Sequence, residues 1–151
     1  AYVPPQVMFS STGTKPDRPG TKDSVAQIAE SRVFCVNIAD AALREQVNAS
    51  SAPLPAGVSE FQHTGIGAAE CETIDCPRVA GAAASLECRM TRVIRLAGEA
   101  NVMVLGVVTG IHLRPDCVES GVFRPPSGWL SRLGHKDYAA TTQTFQMERP
   151  A

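Results

Sequence analysis

The chain reads as mainly β with short helices, a β-barrel with helices packed across its openings. Two long segments, residues 86–96 and 102–113, carry strand periodicity or a continuous apolar run. Helical spacing is confined to two short stretches, near Ser24 and after Asp40. The 12 Gly and 11 Pro among 151 residues punctuate the rest as turns do in β architectures. Strands and helices do not alternate regularly, which argues against an open α/β sheet.

Residues 6–10 are short, apolar and preceded by Pro4 and Pro5, and predict a first, buried strand. Residues 11–21 turn to Gly, Thr, Pro, Lys, Asp and Arg, the composition of a surface loop. Ser24 and Gln27 stand at capping-box spacing, and Val25, Ile28 and Ala29 follow helical spacing, so a helix is expected from Ser24. Residues 33–38 are β-branched and aromatic, a second strand. Asp40 is a good N-cap for another helix, in which Leu43 and Val47 would face inward one turn apart. Residues 48–57 read as a loop.

In 86–96, Leu86, Cys88, Met90, Ile94 and Leu96 alternate with Glu87, Arg89, Thr91 and Arg95. One face is therefore expected buried and the other wet, with Arg92 an exception on the buried face. Residues 102–113 are apolar nearly throughout, as in a strand covered on both sides. Gly98 to Asn101 form the expected hairpin turn. Beyond Pro115 the pattern is irregular to Tyr138, with a last short strand expected at 141–147.

Hydrophobic residues make up 44% and charged residues 19%, with a net charge of −1, a globular balance that argues against disorder and against broad electrostatic nucleic-acid binding. No apolar run reaches the ~18 residues of a membrane span. Residues 1–5 show neither the charged nor the apolar region of a signal peptide. Five Cys, an odd number without secretory context, predict reduced thiols and a cytoplasmic location. One domain over 1–151 is expected.

Ser10, Ser11 and Thr12, followed by Arg18, Lys22, Asp23 and Ser24, lead from a strand end into a helix N-terminus. Unpaired helical N–H groups, the positive dipole end and the cations Arg18 and Lys22 make an anion site there, with the hydroxyls as donors to phosphate oxygens. A capped surface helix beside a solvated basic loop reads equally from the spacing. Cys71 and Cys76 lack the second ligand pair that zinc needs and read as structural thiols. Cys35 and Cys88 fall inside apolar strands, where reactivity drops. His63 reads as structural or solvated in a loop, and His112 as a hydrogen-bonded core histidine. Gly134, His135 and Tyr138, near Arg132, form a segment able to cover a flat ligand or simply a surface turn.

Taken together, Val7 to Ser11, Lys22-Asp23-Ser24 with Gln27-Ile28, Phe34 to Ile38, Asn48 to Phe61, Ala84 to Arg89, Val104 to Val108, and Arg132 to Gly134 with Tyr138 resemble the flavin-reductase-like family. The run from Asn48 to Phe61 is the most specific of these. The resemblance implies an FMN-binding split β-barrel that forms a homodimer, with FMN at the subunit interface and NAD(P)H as electron donor. It implies no nucleic-acid or membrane partner. It places Ser10, Ser11, Lys22, Asp23 and Ser24 along the phosphate and ribityl end, and Arg132, Gly134, His135 and Tyr138 toward the isoalloxazine. It implies hydride transfer to FMN without a protein acid or base, the cofactor doing the redox work. The alternatives are a non-catalytic flavin-binding or assembly module of the same barrel, and an oxidase acting on another small substrate. Family members carry further strands before the position of Ala1, so the domain is expected to be N-terminally incomplete. The loop from Thr12 to Thr21 is longer than the family's usual link.

Overall fold

A computed structural model describes residues 3–15, 17 and 20–150. Its frame is a four-stranded antiparallel sheet in the order β1-β6-β5-β2, curled into half a barrel. Strand β1 (Gln6–Ser11) pairs with β6, and β2 (Val33–Ile38) pairs with β5. Between them runs helix α1 (Asp23–Ser31), which begins one residue earlier than the sequence pattern predicts. Lys22 is its N-cap, in extended conformation, and no side chain caps the first turn, so the Ser24–Gln27 box does not form. Val25 and Ile28 are buried as expected, while Ala29 is exposed because the helix crosses the sheet on a narrow stripe.

After β2 come a 3-10 turn (Ala41–Leu43), helix α2 (Arg44–Ala49) and helix α3 (Glu60–Thr64). Asp40 stands at the N-cap position but makes no capping bond; its buried Oδ2 accepts from Arg114 Nη2 instead. His63, expected in a loop, lies in the last turn of α3. Two short strands, β3 (Ala68–Ala69) and β4 (Arg78–Val79), pair with each other and bracket a segment laid across the sheet.

The core joins Val25 and Ile28 of α1 to Phe34, Cys88, Met90, Val102 and Val104 of the sheet. Phe9 meets Phe34 edge to face at 5.7 Å between centroids. A Cβ at Gly106 would stand 2.6 Å from the Phe34 ring, so only glycine lets the strand and the ring pack this closely.

Strands β5 (Ala84–Arg95) and β6 (Val102–Leu113) form the central hairpin, closed by the expected turn, in which Leu96 N donates to Asn101 O at 2.9 Å. Two bulges change its pattern. The register passes from Met90↔Gly106 to Arg92↔Leu105, leaving Thr91 as an extra residue. Beyond it Val93 faces Val104 on the α1 side, and Ile94 pairs with Met103 on the other face. Arg92 is then no exception, and Ile94 and Leu96, predicted buried, are 36% and 41% exposed; Val93 on the α1 side is 39% exposed, so this end of the hairpin is open on both faces. The second bulge skips Thr109, between Glu87↔Gly110 and Cys88↔Val108.

Cover over the sheet departs from expectation in two ways. Near β2 the face away from α1 is covered by residues 70–77, which bury Glu87 completely although the alternation put it in water. On the opposite face cover is missing toward the end of β6: Ile111, paired with Leu86, and Leu113, paired with Ala84, are 59% and 46% exposed, so this strand is not enclosed on both sides along its length.

The segment after Pro115 is more regular than its sequence suggests. A short turn (Pro115–Cys117) leads to β7 (Val118–Glu119) and β8 (Val122–Phe123), then to the hairpin of β9 (Trp129–Gly134) and β10 (Asp137–Thr141). The final strand thus ends at Thr141, where one was expected to begin, and residues 142–150 form no strand. Trp129 anchors the hairpin through its bridge to Asp40 and an edge-on contact with Phe123 at 4.9 Å.

Candidate functional site

The corner between β1 and α1 gathers most of the predicted site residues. Ser10 is exposed opposite Met103, Ser11 ends the strand nearly buried opposite Val102, and Thr12 lies exposed just beyond. At the start of α1, Lys22 O accepts from Val25 N at 3.0 Å and Ala26 N at 3.1 Å. N–H groups ahead of that turn have no carbonyl inside the helix to bond, and they sit at the positive end of its dipole. Lys22 is exposed and forms no hydrogen bond or ion pair among the described residues, and Ser24 lies exposed within the first turn. The Asp23 carboxylate is ion-paired with Lys15, whose ammonium also donates to Leu54 O at 2.9 Å. Lys15 thus compensates Asp23 and ties the long loop to the segment that follows α2, while Lys22 has no charge partner among the described residues. Arg18 lies outside the described residues.

Arg132, Gly134, His135 and Tyr138 assemble at the β9–β10 hairpin. Arg132 pairs with Tyr138, its guanidinium 5.8 Å from the ring centroid, and its Nη2 donates to His135 O at 3.2 Å. Gly134 and His135 make the turn with φ of 115° and 45°, the left-handed region that glycine adopts at least cost. Tyr138 shares a cavity of about 340 Å³ with Arg44, Glu45 and Asn48, and no residue of the β1–α1 corner lines it. The chain therefore holds two separate groups of predicted site residues.

A third cluster was not anticipated. The buried Glu87 carboxylate accepts from Glu72 N at 2.7 Å, Thr73 N at 2.6 Å, Thr73 Oγ1 at 2.6 Å and His112 Nε2. Burial pushes its pKa up, but these donors outweigh burial and hold it down at about 2. With its acceptor sites filled, this carboxylate fastens residues 72–73 to the sheet. His112 is the hydrogen-bonded core histidine that its place in the strand suggests. A fourth polar pair joins Arg114 to Asp40 and Asp116, each at 2.6 Å, with Arg114 Nη1 on Gly81 O at 2.7 Å.

All five cysteines are free thiols. Burial pushes Cys35 up to about 12 and Cys88 to about 11, and it raises Cys71, Cys76 and Cys117 as well. They stay protonated near neutral pH and are poor nucleophiles. Among the described residues no group of three or more His, Cys, Asp or Glu side chains is placed to hold a metal, and no helix is long and apolar enough to cross a membrane.

The sequence pattern of the flavin reductase like domain matches residues 2–126. The chain belongs to that family. An uncharacterized protein of Halalkalibacterium halodurans is 31% identical over 156 residues, covering 97% of this chain and 72% of that protein. Nitrilotriacetate monooxygenase component B from Bacillus cereus superposes with a TM-score of 0.87 at 28% identity, over 97% of this chain and 74% of that one. Flavoredoxin of Desulfovibrio vulgaris shares the fold at a TM-score of 0.79 and 14% identity, over 97% of this chain and 75% of its own. The split β-barrel expected from the sequence is the fold of these relatives, and the curled four-stranded sheet is its body here.

Proposed function

We propose that the chain is an FMN-binding oxidoreductase that passes hydride from NAD(P)H to FMN held at the interface of a homodimer. Membership of the flavin reductase like family supports the flavin chemistry. The observation that carries the site is the β1–α1 corner, where Lys22, paired with none of the described residues, stands at the positive end of α1 near the exposed Ser10, Thr12 and Ser24. These groups fit a phosphate: a full positive charge, helical N–H donors, and Ser24 within the same turn. Ser10 and Thr12, both exposed, and the nearly buried Ser11 are assigned to the ribityl end, and Arg18, outside the described residues, is added from its place in the sequence. Asp23, compensated by Lys15, orders the turn without setting a bare negative charge against the phosphate.

Bound FMN supplies the ring that accepts the hydride. Arg132, His135 and Tyr138 limit water at the ring, with Gly134 giving the turn its shape. The cavity beside Tyr138 is lined by no residue of the corner, which supports a site completed by a second copy. An uncovered apolar face supports that dimer: Met8, 69% exposed, pairs with Leu105, and Ile94, 36% exposed, pairs with Met103. No side chain is asked to act as acid or base, since His112 is committed to Glu87 and the thiols stay protonated. Reduced thiols also agree with a cytoplasmic setting.

Purified protein incubated with FMN should retain the yellow flavin spectrum through gel filtration and bleach on addition of NADH or NADPH under anaerobic conditions. Flavin retention without bleaching by either nucleotide contradicts the reductase and favours the non-catalytic module. Light scattering should give twice the chain mass, and Ile94→Arg should shift it toward the monomer; a wild-type monomer contradicts the shared site.

A further inference from the structure

A cavity of about 210 Å³ lies between β2 and the pair α2–α3, away from the β1–α1 corner. Leu43, Val47, Phe61, Ile66 and Val79 make its wall almost entirely hydrocarbon. The volume exceeds the roughly 150 Å³ of an apolar cavity that takes up benzene. Gln46 belongs to the same wall, and its Oε1 is buried with no hydrogen-bond partner among the described residues. Such an amide carries an unmet need for one polar contact, and its soft terminal torsion lets it turn toward the cavity at little cost. Glu60 is the one charged side chain in the wall and disfavours anions.

We propose that this cavity binds a small neutral aromatic or aliphatic molecule bearing one hydroxyl, of which phenol is the simplest representative. The ring or chain fills the hydrocarbon wall, and the hydroxyl meets the Gln46 amide. A hydroxyl both donates and accepts, so it satisfies that amide whichever way its oxygen and nitrogen are turned. A carboxylate of the same shape is rejected by Glu60 and by the cost of burying its charge. The site shares no residue with the proposed FMN corner and stands whether or not the protein binds flavin.

The test is titration of the full chain with phenol, toluene and benzoate, followed by methyl NMR of Leu43, Val47, Ile66 and Val79. Phenol should shift these methyls and bind more tightly than toluene, and benzoate should leave them unmoved. Gln46→Leu should weaken phenol by about tenfold and strengthen toluene, reversing the preference. Val47→Phe, which fills the space, should abolish both, and a thermal melt establishes that each variant is folded. The proposal is overturned if phenol fails to shift these methyls up to about 10 mM, or if benzoate binds as well as phenol. It is equally overturned if the phenol preference survives in folded Gln46→Leu. Should either variant fail to fold, the wild-type ranking of the three ligands decides alone.

Discussion

Glu87 and Lys22 are both charged side chains beside the central sheet, and they are used in opposite ways. Glu87 is fully buried, with donors from Glu72, Thr73 and His112 around its carboxylate. Lys22 is exposed at a helix start and pairs with none of the described residues. A charge whose partners are all supplied by the chain serves the fold. A charge left open beside unbonded helical N–H groups is available to a ligand. The contrast separates the polar groups that hold this barrel together from those that the proposed anion site would use.

Breaking the filled cluster should have the largest effect. Glu87→Ala leaves buried donors without an acceptor and should cost about 3–5 kcal/mol in urea unfolding, the range for removing one partner of a buried charge pair. A cost under about 1 kcal/mol would make the cluster incidental. Acid should act on the same group. Its folded pKa of about 2 lies below the ordinary 4.5, so its contribution is present above pH 4.5 and disappears as pH falls from there toward 2. Glu87→Gln should flatten that part of the stability profile, and an unchanged slope would remove Glu87 as its source.

The open charge should behave in reverse. Lys22→Ala should weaken FMN by about 1.5–3 kcal/mol in a fluorescence titration, as for a hydrogen bond to a charged group. Its unfolding free energy should stay within about 0.5 kcal/mol of wild type. A stability loss larger than the affinity loss would place Lys22 with Glu87 as a fold residue. The smallest effect is expected at the hairpin, where Tyr138→Ala should cost about 0.5–1.5 kcal/mol of FMN affinity, the scale of one aromatic contact. No change there would remove the hairpin from the ring site.

The open corner was more legible in the sequence than the closed cluster, for a physical reason. Strand ends, hydroxyl runs and helix starts are local, and Ser10 to Ser24 carry them within about fifteen residues of chain. The Glu87 cluster depends on residues 70–77 folding over the sheet, and alternation alone assigns a Glu between Leu86 and Cys88 to water. The bulge at Thr91 is likewise invisible to a period of two, yet it reverses which of Val93 and Ile94 faces α1. Arg92, out of place in the alternation, was the one trace it left. The β9–β10 hairpin escapes sequence reading because its short strands, Trp129–Gly134 and Asp137–Thr141, show no clean period-two alternation, and the Trp129–Phe123 contact that anchors them depends on the fold.

The most direct measurement compares riboflavin with FMN, which differ by the phosphate alone, in wild type and in Lys22→Ala by calorimetric titration. If the β1–α1 corner grips that phosphate, wild type should prefer FMN by at least tenfold and the variant should lose most of the preference. Equal affinity for the two flavins in wild type, or a preference untouched by the substitution, would contradict the account.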